Sequence, residues 1–201
     1  MTPVAAQVER LVELGVADLA GVTEGELRKL AGDLVPDDDS AVLAVHPRLV
    51  AASLLAPLLS RGGKPGFVVV DMDDLDAFEP IEPGPSAPLY LVHGIDRGDD
   101  LANWSPDEAL PELRSRGRRP LTVNEGISWL LQQPEQLQPN HCFMTIGSRK
   151  PTSTGLDTRT PAIWISGGTG RDGKERKGAP KVGWCWAGNR HTWLGFASSL
   201  A

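Results

Sequence analysis

Apolar residues at Val4, Val8, Leu11 and Val12 recur at the spacing of one helix face, and Gly15 ends the run. Thr2-Pro3 ahead of them supplies an N-cap and a first-turn proline. Thr23 to Glu26 has the S/T-x-x-E form of a capping box and predicts a short helix through Leu27 and Leu30. After Pro36, Asp37, Asp38 and Asp39 read as a solvated turn. His46-Pro47 predicts a further helix with Leu49, Leu54 and Leu58 among its apolar residues and Gly62-Gly63 as its end.

The period then shortens. Phe67–Val70 and Leu89–Ile95 are β-branched or aromatic runs that predict strands, and between them residues 79–88 hold four prolines and predict an extended connection. Capping boxes at Ser105–Glu108 and Thr122–Glu125 predict two more helices. Pro111 is expected to bend or shorten the first, and Pro134 to close the second. After Pro139 the strand-like stretches 141–146, 162–165, 182–186 and 192–196 are separated by Gly, Pro, Ser and Thr.

Helices early and strands late predict one α+β domain over residues 1–201. Its helical part spans about 1–62, the Pro-rich connection 79–88, and the strand-rich part about 139–201. The helical part is expected to pack on a mixed or antiparallel sheet completed by a C-terminal Trp-rich β-hairpin. That hairpin comes from Gly188-Asn189, which suit a two-residue turn. In this register Trp186 faces His191 and Trp184 faces Trp193, so four rings share one side; Cys185, Thr192, Leu194 and Phe196 take the other. A one-residue slip would undo the arrangement.

Composition changes the picture in two respects. The net charge is −6, but residues 1–111 carry 7 Lys/Arg against 20 Asp/Glu, whereas residues 112–201 carry 13 against 6. Such asymmetry points either to a charged partner or to two halves that neutralise each other. Two cysteines make no disulfide framework, and with no basic leader and no run of 18 apolar residues the expected setting is cytoplasmic, without a membrane span.

Gly168–Lys174 fits the G-x-x-x-x-G-K pattern, yet Glu175 stands where a Ser or Thr hydroxyl would bind magnesium. Gly178 and Pro180 also interrupt the helix that a phosphate loop must open. What remains is a loop whose Arg171 and Lys174, with Arg176, Lys177 and Lys181, attract anions. Ser148 and Arg149, at a strand end, are further anion candidates. The ring face of Trp184, Trp186 and Trp193, with Arg190 and His191 at its mouth, suits a ligand with a flat apolar part and a carboxylate or phosphate. The simpler alternative buries those rings as core.

Cys185, with His191 or His141 as base, is the candidate nucleophilic pair, against the alternative of an inert buried thiol. His141 and Cys142 point to opposite faces of a strand, and no C-x-x-C or H-E-x-x-H occurs, so no metal site is assigned. Asp71 to Asp76 form an acidic turn whose capacity for a cation is left open. His93-Gly94 has no G-x-S-x-G nucleophile to serve, which excludes the α/β-hydrolase arrangement.

CFMTIGSR at 142–149 and GWCWAGNRHTWLGFAS at 183–198 resemble an uncharacterised actinobacterial family of proteins of unknown function. The resemblance implies a soluble bacterial protein and assigns no catalytic residue or cofactor. The favoured function is therefore a small-molecule site for a carboxylate- or phosphate-bearing ligand, binding or catalytic. A protein-interaction or structural domain, including a homodimer, is the first alternative. A nucleic-acid module, disfavoured by the acidic first half, is the second.

Overall fold

The computed structural model describes residues 3–32, 34–36 and 40–201. Among the described residues there are six α-helices: α1 Val4–Glu13, α2 Val16–Ala20, α3 Glu24–Leu30, α4 Ala52–Leu55, α5 Pro106–Ser115 and α6 Val123–Gln132. The strands that organise the fold are β1 Val42–Val45, β2 Phe67–Val68, β3 Leu89–Val92, β4 Arg118–Pro120 and β5 Cys142–Met144. They continue with β6 Ser148–Arg149, β7 Arg159–Ile165, β8 Pro180–Trp186, β9 Leu194–Phe196 and β10 Ser198–Leu200. Helices and strands mix as α+β.

The main sheet has five strands in the order β9-β5-β7-β8-β2. β7 runs antiparallel to both β5 and β8, while β9 is parallel to β5 and β2 is parallel to β8. A second sheet pairs β1 with β3 antiparallel, setting Val42 opposite Val92 and Val45 opposite Leu89. β4 pairs with β10, placing Arg119 beside Ser199. Glu79 and Pro80, at the start of the Pro-rich connection, pair with Arg149 and Ser148 of β6.

Helix α6 is buried along its length between β1 and the main sheet. Gly126 makes that approach feasible: a Cβ there would lie 2.5 Å from Thr145 Cγ2 and 3.1 Å from Phe143. Two polar side chains of α6 are spent on backbone groups of the neighbouring segment. Asn124 Nδ2 donates to the carbonyls of Val45 and Val50, and Ser128 Oγ accepts from the Val45 amide. Each of these buried bonds spares about 1–3 kcal/mol of desolvation penalty. The core then closes around Leu43, Leu89, Leu121, Ile127, Phe143 and Ile163, all fully buried.

The three capping boxes form as the sequence predicts, at Thr23, Ser105 and Thr122. Four expectations change. The helix expected from His46 shrinks to α4 and one 3₁₀ turn, and Gly62-Gly63, at φ +56° and +74°, turn a hairpin between Ser60–Arg61 and Lys64–Pro65 instead. The stretch assigned as helical, 1–62, also contains β1. Pro111 lies inside α5, which continues to Ser115. The Asp37–Asp39 turn and the Thr2 cap lie outside the described residues.

The Trp-rich hairpin does not form. β8 and β9 run in the same direction and are separated by β7 and β5, and the chain between them crosses to the far edge of the sheet. The reason is that both strands find better partners: β8 zips along all seven residues of β7, and β9 adds to β5. Two-residue turn chemistry at Gly188-Asn189 cannot outweigh a seven-residue ladder.

Gly126→Val is expected to lower the urea midpoint, costing about 1–3 kcal/mol through overpacking. Gly25→Ala in α3, where the nearest atom is 4.0 Å away, is the control and is expected to be neutral or to stabilise by up to about 1 kcal/mol.

Candidate functional site

The residues expected to form the site do not converge. Trp184 and Trp186 lie two apart on β8 and so share a face, their rings edge-on at 4.5 Å. Trp164 stands opposite Lys181, on the other face, and it is Trp164 that Trp193 meets at 6.3 Å. His191 packs on Trp193 at 5.5 Å. The four rings thus divide into two groups on opposite sides of the sheet. Arg190 is paired with Glu108, whose carboxylate also completes the cap of α5.

Ser148 Oγ accepts from the Val123 amide at the start of α6. Arg149 is buried and donates to the Asp157 carbonyl at 2.8 Å, while its Nε has no partner among the described residues. Arg171 is exposed, 3.6 Å from Asp71, and Lys174 is exposed in a 3₁₀ turn. Residues 170–172 and 174–176 form two such turns, so no α-helix follows the glycines. Burial pushes the Cys185 thiol up to about 11, which suppresses the thiolate, and burial lowers His191.

The acidic turn is engaged from within. Asp74 accepts both Arg159 nitrogens at 3.0 and 2.6 Å and Lys150 Nζ at 2.6 Å, and Asp76 accepts from the Ser53 amide. Arg159 foremost, then Lys150, holds the Asp74 carboxyl down to about 2 against burial. Among the described residues no group of three or more metal-ligating side chains is found.

A different cleft, of about 520 Å³, opens between the turn after β1 and the Pro-rich segment 79–86. Glu125 forms its floor. As the third residue of α6 its carboxylate closes the Thr122 capping box, accepting from the Thr122 amide at 2.7 Å. It also accepts both terminal nitrogens of Arg119, at 2.9 and 2.8 Å, and the Tyr90 hydroxyl at 3.1 Å. Burial works against the Arg119 cation, but its bonds to Glu125 hold it above its ordinary range. Burial, reinforced by Glu125, pushes the Tyr90 phenol well up, so this hydroxyl stays a donor.

His46 borders Tyr90, ring to ring at 6.2 Å. Its Nδ1 accepts from the Arg48 amide, so in the neutral ring the proton sits on Nε2. Burial, and next the Arg48 charge, lower its affinity for a second proton. The remaining charges nearly cancel. Glu125 is taken by Arg119, and Glu82 is taken by Arg114 at 2.7 Å. Arg48 and Glu79 are left without an ion pair among the described residues. The cleft therefore presents one unpaired cation, one unpaired anion, and walls of Tyr90 and proline.

Residues 10–201 match the Family of unknown function (DUF5701). The chain belongs to that family. No curated protein and no solved structure matches it significantly. Family membership names no reaction. Among the described residues no helix is long and apolar enough to cross a membrane.

His46, Arg48, Glu79, Tyr90, Arg119 and Glu125 are not among the site residues expected from the sequence. Glu125 was legible only as a cap, which hid its second role. Tyr90, the single tyrosine of the chain, was the available signal.

Two stability outcomes follow. Glu125→Gln is expected to cost about 3–5 kcal/mol, because it strands the Arg119 charge, and adding Arg119→Met is expected to recover part of it; urea melts of both variants check this. Asp74 binds its proton more weakly folded than unfolded, so its contribution is present above about pH 4 and is lost as pH falls toward 2. Acid titration of Asp74→Asn is expected to show this loss missing, at about 1–2 kcal/mol once solvent screening is allowed for.

Proposed function

We propose that this cleft is a small-molecule site for a ligand carrying a carboxylate or phosphate together with an amine, on a flat or apolar body. The observation that carries the reading is the pair left over when the cleft's ion pairs are removed. Arg48 offers a guanidinium to the anion, His46 adds a neutral Nε2–H donor, and Glu79 offers a carboxylate to the amine. Tyr90 and the prolines give the apolar body its surface. The Glu125–Arg119–Tyr90 network already has its partners, which supports a positioning role as floor and gives it no free group for proton transfer. The reading is one of binding. It keeps the bacterial, cytoplasmic setting that the sequence suggests.

A second reading keeps the tryptophans as a contact for another protein or a second copy. Trp186 is 46 % exposed beside Trp184, an unusual position for so large an apolar ring. Sedimentation of Trp186→Ala against wild type is its check.

Calorimetric titration tests the first reading. Phenylalanine is expected to bind more tightly than 3-phenylpropanoate, which lacks the amine, and than phenethylamine, which lacks the carboxylate. Arg48→Ala is expected to weaken phenylalanine by about tenfold, the worth of one charge-assisted hydrogen bond. Glu79→Gln is expected to bring phenylalanine down to the level of 3-phenylpropanoate. Equal binding of the three probes, or an Arg48→Ala variant indistinguishable from wild type, overturns the reading.

A further inference from the structure

The main sheet ends at β2, which has a strand on one side only. The Val69 amide donates to the Val182 carbonyl of β8, so strand alternation turns the Val68 amide and carbonyl to the side where no strand lies. Val70 follows in the turn that the Met72 amide closes on the Val69 carbonyl, and it is 65 % exposed. An open edge beside an exposed β-branched side chain is a place where another extended chain can pair.

Positive charge is in excess around this edge. Lys64 Nζ donates to the carbonyls of Glu175 at 3.1 Å and Lys177 at 2.7 Å, and Arg61 reaches the Gly178 carbonyl. These bonds hold the hairpin 60–65 against the loop 174–178 and gather Arg61, Lys64, Arg171, Lys174, Arg176 and Lys177. Against them stand Asp71 and Glu175, while Asp172 is spent on Lys181 and Ser166. Val68, Val70, Arg171 and Arg176 together line a shallow groove. Arg176 lies over the Phe67 ring at 4.5 Å, with no carboxylate partner among the described residues. Arg171 is 75 % exposed and 3.6 Å from Asp71, too far for a hydrogen bond.

We infer that this edge is a docking site for an acidic peptide segment in extended conformation. Its backbone pairs with Val68, an apolar side chain packs on Val70, and its carboxylates meet Arg171 and Arg176. A second copy of the chain fits less well, because a twofold axis at the edge brings the same cations together. A nucleic acid also fits less well: the outward Val68 carbonyl repels phosphate oxygens, and the groove lining holds no aromatic ring on which a base can stack. The groove shares no lining residue with the cleft proposed above, so the two readings stand or fall separately.

Fluorescence anisotropy of a labelled Glu-Val-Glu-Val-Glu peptide tests the inference. Wild type is expected to bind it and to ignore Lys-Val-Lys-Val-Lys. Alternate amides of a strand face the same way, so N-methylation of either the valines or the glutamates, and not of both sets equally, is expected to weaken binding by about tenfold. Arg171→Ala combined with Arg176→Ala, and separately Val70→Asp, are each expected to weaken it by about tenfold with an unchanged urea midpoint. No binding by wild type, equal binding of the lysine peptide, indifference to both methylations, or wild-type affinity in both variants overturns the inference. An oligothymidylate bound as tightly as the acidic peptide also overturns it, as does a wild-type dimer that Val70→Asp dissociates.

Discussion

The buried carboxylate of Glu125 is the interaction on which the rest of the structure turns. It caps α6 at the positive end of the helix dipole, where an acidic side chain is favoured. It also neutralises Arg119 and takes a hydrogen bond from Tyr90. These partners arrive from β4 and β3, elements that belong to different sheets. One side chain thus fixes the start of the central helix, the position of two sheets against it, and the floor of the cleft. A buried charge is costly unless every lone pair has a partner, so these three neighbours are a condition of folding as well as features of the site.

Much of the local structure was legible because it is written in short patterns. The capping boxes at Thr23, Ser105 and Thr122 involve residues three apart, and a pattern of that length survives any tertiary arrangement. Strand pairing is different. Trp184 and Trp193 sit close in sequence around a plausible turn, yet the partners of β8 and β9 come from β7 and β5, some 20 to 50 residues upstream. Nothing local distinguishes a tight hairpin from a crossover when both flanking runs are apolar. The same limit hid β1, whose four residues VLAV are fully buried and so show no alternation to read. It hid the cleft too, since His46, Glu79, Tyr90 and Arg119 meet only after β1, β3 and β4 are placed.

The opposite charges of the two halves have a structural answer. Arg114 meets Glu82, Arg116 meets Asp100, Arg159 and Lys150 meet Asp74, and Arg190 meets Glu108, each pair joining the basic part of the chain to the acidic part. The exposed pairs among them, such as Arg116 with Asp100, contribute little stability singly, about 0–1 kcal/mol. Their arrangement still matters, because it ties the acidic and basic parts of the chain together at several points. Within the lining of the cleft, Arg48 and Glu79 are the charges without such a partner among the described residues.

The Pro-rich segment explains how such a cleft stays open. Four prolines within residues 79–88 lack backbone donors and hold φ near one value, so the segment can neither join a sheet over its length nor collapse onto Tyr90. Its start is pinned by the Glu79 and Pro80 pairing to β6, and its end by the Pro88 carbonyl, which accepts from the His46 amide. Fixed at both ends and restricted by its prolines between them, it walls the cleft, and under the proposed function it would lose little conformational freedom when a ligand binds. Preorganisation of this kind preserves binding free energy that a flexible loop would spend on ordering itself. The same pinning sets Glu79 in the lining of the cleft, so the position of one segment governs the charge that the cleft presents.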